Sequence, residues 1–289
     1  MKIYLNGDFV KKEDAKVSVF DHGYLYGDGV FEGIRAYNGL VFRLDQHLDR
    51  LYSSAHTIML KISLTKEEMK EALLETLRVN DLKDAYIRLI ISRGEGDLGL
   101  DPRKCKSSTI VMIADKIALY PQEFYEKGLE IITVPTRRNT IETVNPQVKS
   151  LNYLNNIMAK IEAVHCGYEE AIMLNNEGYV VECSGDNIVI LSESKLYTPS
   201  DHIGALKGIT QAVVVKLAEK MGIGIVREVF SRHDIYNAQE CFLTGTAAEI
   251  IPVVKVDGRA IGSGKPGKVT LQLIQSYRDL TKREGISAY

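Results

Sequence analysis

Two Asn-Gly dipeptides, Asn6-Gly7 and Asn38-Gly39, each stand between short β-rich runs, and helical periodicity follows them along the chain. Asn-Gly accepts the positive φ angles of a tight two-residue turn, so Ile3-Tyr4-Leu5 is expected to pair with Phe9-Val10, and residues 34–37 with 40–42. Hairpins join strands antiparallel, which does not match the strict strand-helix alternation of a doubly wound parallel sheet. The expected class is therefore α+β.

Helices are expected next. Leu44, Leu48, Leu51, Ala55, Ile58 and Met59 recur at helical spacing, and Thr65 with Glu68 forms a capping box that opens a second helix through about Val79. Residues 86–92 and 108–114 read as strands that complete a sheet, and the glycine-rich stretch 94–102 between them reads as a mobile loop. A boundary is expected at Leu119-Tyr120-Pro121-Gln122, where strand character stops at a proline. The chain divides on this reading into a small α/β domain over residues 1–118, a linker over 119–128 and a large α/β domain over 129–289. In that second part, a strand over 129–134 precedes a helix over 151–165, with Leu151, Leu154, Ile157, Met158, Ile161 and Val164 as its buried stripe. Strands near 171–174, 179–182 and 187–191, a helix over 209–221, an Asp257-Gly258 hairpin and a closing helix over 267–280 follow.

At 289 residues, either two domains or one large unit can bury a substantial core. A net charge of −2 lacks the basic excess that a nucleic-acid partner requires. The opening run Met1 to Gly7 turns polar at once, and no apolar stretch approaches the roughly 20 residues of a membrane span, so a cytoplasmic protein is expected. Cys105, Cys166, Cys183 and Cys241 lie far apart without a metal-ligand pattern, which favours reduced thiols and neither a disulfide framework nor a metal site.

Four segments carry the chemistry. Lys149 opens the run Lys149-Ser150-Leu151-Asn152-Tyr153, just ahead of a helix, where a rigid and partly apolar setting suits a lysine that must be partly neutral to act as a nucleophile. Glu182 follows the apolar run Tyr179-Val180-Val181 and precedes Cys183-Ser184-Gly185-Asp186-Asn187, so small residues leave a flat ring room to approach a carboxylate. Gly208-Ile209-Thr210 opens a helix whose first amides suit a phosphate. Thr244-Gly245-Thr246-Ala247-Ala248 follows a strand and forms a small-residue turn whose backbone can meet a phosphate or a carboxylate. Each segment alone has an ordinary structural explanation, from a solvated loop lysine to a close-packed turn.

In this order the four segments describe a pyridoxal 5'-phosphate pocket, and they resemble the class IV aminotransferases, most closely the branched-chain amino acid aminotransferases. Cys183 replaces the glycine usual after the matching glutamate. The resemblance implies the two-domain fold type IV architecture and a homodimer, or an assembly of dimers, with sites at the domain and subunit interface. It further implies that Lys149 binds the cofactor as a Schiff base and then moves a proton, and that Glu182 meets the pyridinium nitrogen. Tyr153 would meet the phenolic oxygen, and Arg50, Ile209, Thr210 and Thr246 would hold the phosphate.

The run from Tyr24 to Arg35 resembles the branched-chain subgroup, in which Tyr26 and Phe31 would help wall the side-chain pocket. Ala85-Tyr86-Ile87-Arg88 does so too: Tyr86 would help bind the substrate α-carboxylate, together with Thr246 and Ala247, and Arg88 would accept the γ-carboxylate of glutamate. Their i, i+2 spacing puts Tyr86 and Arg88 on one face of a strand, whichever way it points. The implied reaction is transamination of leucine, isoleucine or valine with 2-oxoglutarate. The D-amino acid aminotransferases carry an Arg-x-His pair where this chain has Asp97-Leu98-Gly99-Leu100, and the Tyr86-x-Arg88 and Gly245-to-Ala248 segments argue against an aminodeoxychorismate lyase.

Overall fold

A computed structural model describes residues 1–116 and 120–289. Two compact units result, Met1–Ile117 with Val148–Asn152 and Thr281–Tyr289, and Ala118–Gln147 with Tyr153–Leu280. Of the expected boundary Leu119-Tyr120-Pro121-Gln122, Leu119 lies outside the described residues. The short segment Val148–Asn152, which carries Lys149, belongs with the first unit although it lies far along the chain from it.

The first unit contains β1 (Lys2–Leu5), β2 (Asp8–Lys11), α1 (His22–Tyr26), β3 (Gly29–Tyr37), β4 (Leu40–Val41), α2 (Leu44–Thr57), α3 (Lys66–Arg78), β5 (Ala85–Ser92) and β6 (Thr109–Asp115). Its seven-stranded sheet runs Ile286–Ser287, β4, β3, β5, β6, β1, β2. Both Asn-Gly turns form, with φ of 51° and 107° at Asn6 and Gly7 and 48° and 81° at Asn38 and Gly39. The Thr65 capping box also forms, with Thr65 Oγ1 accepting from the Glu68 amide and Glu68 accepting from the Thr65 amide. Along β5, Ala85, Ile87, Leu89 and Ile91 are buried toward α2 and α3, in a core shared with Leu48, Leu51, Leu73 and Leu77. Each leucine or isoleucine among them contributes about 1.5–3 kcal/mol by leaving water. Ile58 and Met59 fall outside the expected helix: α2 stops at Thr57, and Met59 turns outward with a φ of 53°.

The second unit contains α4 (Gln122–Lys127), β7 (Leu129–Thr133), α5 (Leu154–His165), β8 (Ala171–Leu174), β9 (Val180–Cys183), β10 (Asn187–Ser192), β11 (Lys195–Pro199), α6 (Ile209–Lys220), β12 (Gly224–Glu228), α7 (Arg232–Tyr236), β13 (Glu240–Gly245), β14 (Glu249–Val256), β15 (Arg259–Ala260) and α8 (Lys268–Thr281). Its strands order as β12, β11, β10, β13, β14, β7, β8, β9, with β15 on β14. β8 to β10 are nearly continuous apolar runs buried along their length, as strands covered on both faces should be. Among the described residues no helix is long and apolar enough to cross a membrane.

The expected helix over 151–165 and its buried stripe need correction. α5 starts at Leu154, and its buried residues are Asn156, Ala159 and Ala163. The alanines let the helix sit close against Val134, Ala171 and Met173, so the large aliphatics are turned the other way. Leu154, Ile161 and Val164 are 68%, 54% and 58% exposed. Helical period locates a stripe but does not say what covers it.

Candidate active site

In the first unit, β3 and β5 pair with Gly33 opposite Arg88 and Arg35 opposite Tyr86. Tyr86 and Arg88 therefore share the sheet face opposite Ile87 and Leu89, and Arg88 Nη2 donates to Tyr86 Oη at 3.1 Å. The Arg88 guanidinium lies 4.7 Å from the Phe31 ring centroid and 5.5 Å from that of Tyr86. Aromatic faces accommodate a cation where water does not reach it. The buried Nε of Arg88 has no hydrogen-bond partner among the described residues, so this guanidinium keeps a donor in reserve. Gly33 makes this packing possible: a Cβ there would lie 2.0 Å from Tyr86 Oη and 2.7 Å from Cζ.

Lys149 reaches the same group by strand-like stitching. Its carbonyl accepts from the Phe31 amide at 3.0 Å, the Leu151 amide donates to the Gly29 carbonyl at 2.9 Å, and Ser150 bridges Val30. Asn152 Nδ2 adds a bond to the Gly27 carbonyl at 2.8 Å, and the Lys149 amide donates to Ser54 Oγ at 3.2 Å. These bonds aim the amine across β3, with Nζ 4.5 Å from the Phe31 centroid. Lys149 and Arg88 thus both lie against the ring of one buried phenylalanine.

The opposite face of β3 carries Glu32, fully buried, which accepts from Arg50 Nε at 2.7 Å, Arg50 Nη2 at 2.8 Å and His47 Nδ1 at 2.8 Å. Burial alone would raise the Glu32 carboxyl, but the charge and two-pronged bond of Arg50, with His47, outweigh it and bring it down to about 2. Burial holds His47 below the ordinary imidazole range despite the pull of Glu32. The neutral ring still donates its Nδ1–H, and Arg50 is the charge that keeps Glu32 ionised. Arg50 is fixed by this fork, with its side chain only 14% exposed.

In the second unit, Glu182 lies on β9, 5% exposed. Its Oε1 accepts from Arg138 Nε at 2.8 Å, and its Oε2 accepts from the Leu206 amide at 3.0 Å and Asn187 Nδ2 at 3.3 Å. A carboxylate offers about four acceptor positions, so room remains for one more donor. Cys183 beside it is fully buried, and burial pushes its thiol far above the ordinary range, which leaves it unreactive.

α6 begins at Ile209 after Gly208, which supplies no side-chain cap, so the leading amides of Ile209 and Thr210 suit an anion. A Cβ at Gly208 would lie 1.9 Å from Asn187 Oδ1. Gly245 is equally constrained, since a Cβ would lie 1.8 Å from Asp186 Oδ1. The adjacent Thr244 Oγ1 is buried and has no partner among the described residues, next to Thr246 and Ala247 in the turn between β13 and β14. Tyr153 is the residue immediately before α5.

Within the first unit the structure brings Lys149, Phe31, Tyr86 and Arg88 to one side of β3 and β5, with Arg50 on α2 beyond the other. Tyr26 makes its contacts elsewhere, donating to the Leu98 carbonyl at 2.6 Å and packing edge-on against His22. That bond and the one from His22 Nε2 to the Asp97 carbonyl, 2.8 Å long, tie down the glycine-rich loop. His47 and Arg138 do not stand out by local pattern, whereas Glu32 does, as an acid within the run Val30 to Ile34, where a buried charge demands a partner.

The sequence matches the family described as Amino-transferase class IV over residues 29–256. It is 55% identical over 289 residues to a Methanocaldococcus jannaschii protein provisionally named a branched-chain-amino-acid aminotransferase, spanning 100% of this chain and 99% of that one. The branched-chain amino acid aminotransferase of Escherichia coli superposes with a TM-score of 0.95 at 37% identity, covering 97% of this chain and 94% of that chain. The T.th. branched-chain amino acid aminotransferase, complexed with N-(5'-phosphopyridoxyl)-L-glutamate, gives 0.92 at 36% identity, covering 98% and 95%. With most of its length matched at this identity and in this α+β fold, the chain belongs to the class IV aminotransferases, the pyridoxal-phosphate-dependent enzymes of fold type IV.

Proposed function

We propose that this protein transfers the amino group of L-leucine, L-isoleucine or L-valine to 2-oxoglutarate, giving the branched-chain 2-oxoacid and L-glutamate in two half-reactions. The observation that carries the substrate assignment is Arg88 held over Phe31 and bonded to Tyr86, with the Lys149 amine over the same Phe31 ring. A pocket serving both leucine and glutamate needs apolar walls and a cation that is tolerated when no acid is present. Arg88 against two aromatic rings, with one donor in reserve, meets that requirement.

The residues fit pyridoxal 5'-phosphate: an amine aimed by backbone bonds, a buried carboxylate with one open acceptor position, an uncapped helix start, and a buried unpartnered hydroxyl beside a tight turn. When bound, the cofactor supplies an electron sink for negative charge at the substrate α carbon. Lys149 takes and returns the α proton. Glu182 would accept from the ring nitrogen and Tyr153 would meet the phenolic oxygen, while Arg50, the amides of Ile209 and Thr210, and Thr246 would hold the phosphate. Phe31 walls the side-chain pocket, Tyr86, Thr246 and Ala247 bind the α-carboxylate, and Arg88 binds the γ-carboxylate. Glutamate formation from L-leucine and 2-oxoglutarate tests this reading, and a holoenzyme that forms none contradicts it.

The working unit is a homodimer in the cytoplasm. The four cysteines are free thiols, as a reducing compartment allows. The exposed apolar stripe of α5 is a surface that a second copy would cover, at roughly 1.5–3 kcal/mol per large side chain. Light scattering should give a dimer or a multiple of one for the protein and a smaller species for Ile157→Asp/Ile161→Asp. A wild-type monomer contradicts this.

A further inference from the structure

Arg138 has no place in the reaction as described above, yet it is buried beside the carboxylate on which the ring nitrogen depends. Arg138 and Glu182 each expose only 6% of their side chains, and 44 residues of chain separate them. The guanidinium is fixed on several sides. Nε donates to Glu182 Oε1 at 2.8 Å, and Nη1 donates to Asn139 Oδ1 at 2.7 Å and to Asn156 Oδ1 at 3.0 Å. Asn156 is itself held by donating to the Ser184 carbonyl at 2.8 Å, and the Arg138 amide donates to the Leu174 carbonyl at 2.9 Å. Both ends of the pair are thus tied to neighbouring strands β8 and β9.

We propose that Arg138 is a positioning residue that keeps the proton shared between Glu182 and the cofactor's ring nitrogen on the nitrogen. This rests on the assignment of Glu182 to that nitrogen. Every group bonded to Glu182 among the described residues is an N–H donor, so the carboxylate is presented purely as an acceptor with one position open. Of those donors only Arg138 carries a charge, and a fixed cation at one oxygen favours the ionised carboxylate. Without it, a buried carboxylate would compete for the shared proton, leaving a neutral acid and a neutral ring that stabilises negative charge at the α carbon less well. The proton shifts within one hydrogen bond, so neither atoms nor charge are gained or lost overall.

The test uses holoenzyme loaded with cofactor labelled with 15N at the ring and reads the nitrogen resonance, which separates protonated from unprotonated rings without turnover. Wild type and Arg138→Lys should resonate as protonated rings, whereas Arg138→Met and Arg138→Gln should move toward the unprotonated position. Exchange of the α hydrogen of L-leucine should slow on the order of tenfold to a hundredfold in the two neutral variants, as expected for losing a charge-assisted interaction. Arg138→Gln keeps a hydrogen-bonding side chain of similar reach, so it gives a reading even where Arg138→Met does not fold. Protonated-ring resonances in the neutral variants would overturn the proposal and leave Arg138 a structural residue. Glu182→Gln separates the two levels: an unmoved resonance there would remove Glu182 from the nitrogen and the Arg138 role with it. Movement in Glu182→Gln alone would overturn only Arg138.

Discussion

Arg88 Nη2 donates to Tyr86 Oη at 3.1 Å, two residues back on the same face of β5, while its guanidinium rests 4.7 Å from the Phe31 centroid. The charge is already accommodated by rings and a hydroxyl, so apolar substrates need not neutralise it. An acidic substrate gains a charge-assisted bond of about 1.5–3 kcal/mol. Arg88→Leu should therefore depress the glutamate half-reaction roughly ten- to hundredfold in catalytic efficiency and the leucine half-reaction far less. Single-turnover rates for each donor check this, and equal losses would make Arg88 a general support of the pocket.

Gly33 lies across the ladder from Arg88, and its φ is not in the left-handed region, so glycine is needed there for space. Gly33→Ala should drive the Tyr86 ring off β3 and take the hydroxyl from Arg88. Because Tyr86 is assigned to the α-carboxylate common to all substrates, KM should rise for leucine and glutamate alike, by about tenfold for one lost hydrogen bond to a charged group. A rise confined to glutamate would mean that only Arg88 had been disturbed.

Lys149→Ala removes the amine aimed across Phe31 and the group that carries the α proton. Turnover should fall by on the order of 10^2–10^4 or more, and the yellow colour of the lysine-bound cofactor should be lost. Transamination at a near-normal rate would remove Lys149 from the reaction.

The Glu32, His47 and Arg50 cluster predicts how stability responds to acid. His47 titrates below its ordinary value near 6.5 in the folded protein, so the unfolded chain binds the extra proton first and stability falls as pH drops below 6.5. Glu32, lowered from 4.5 to about 2, contributes stability that is complete above the unfolded value and lost as pH falls toward 2. Each proton adds a slope of at most about 1.4 kcal/mol per pH unit. Melting temperature should decline in two stages below neutrality, and His47→Gln should flatten the upper one. An unchanged upper stage in that variant would assign it to another group.

The legible parts of the fold were local. Asn6-Gly7, Asn38-Gly39 and the Thr65 capping box are set by a few neighbouring residues, and the structure forms all three. Lys149 was expected at a helix start and is instead stitched to β3, because the bonds that place it come from Gly29, Val30 and Phe31, more than a hundred residues earlier. The direction of the α5 stripe depended on Ala159 and Ala163 fitting against β8, a matter of tertiary packing that helical period does not encode. Arg138 carries no local signal for the same reason, since its partner Glu182 is 44 residues away.

Half-reaction spectroscopy on the holoenzyme, with a panel of L- and D-amino acids and no oxoacid acceptor, tests the central claim most directly. Both L-leucine and L-glutamate should convert the visible absorbance of the lysine-bound cofactor to that of its amino form, and D-alanine and D-glutamate should not. A response to the D-amino acids alone, or to neither set, would contradict the assignment of a branched-chain aminotransferase.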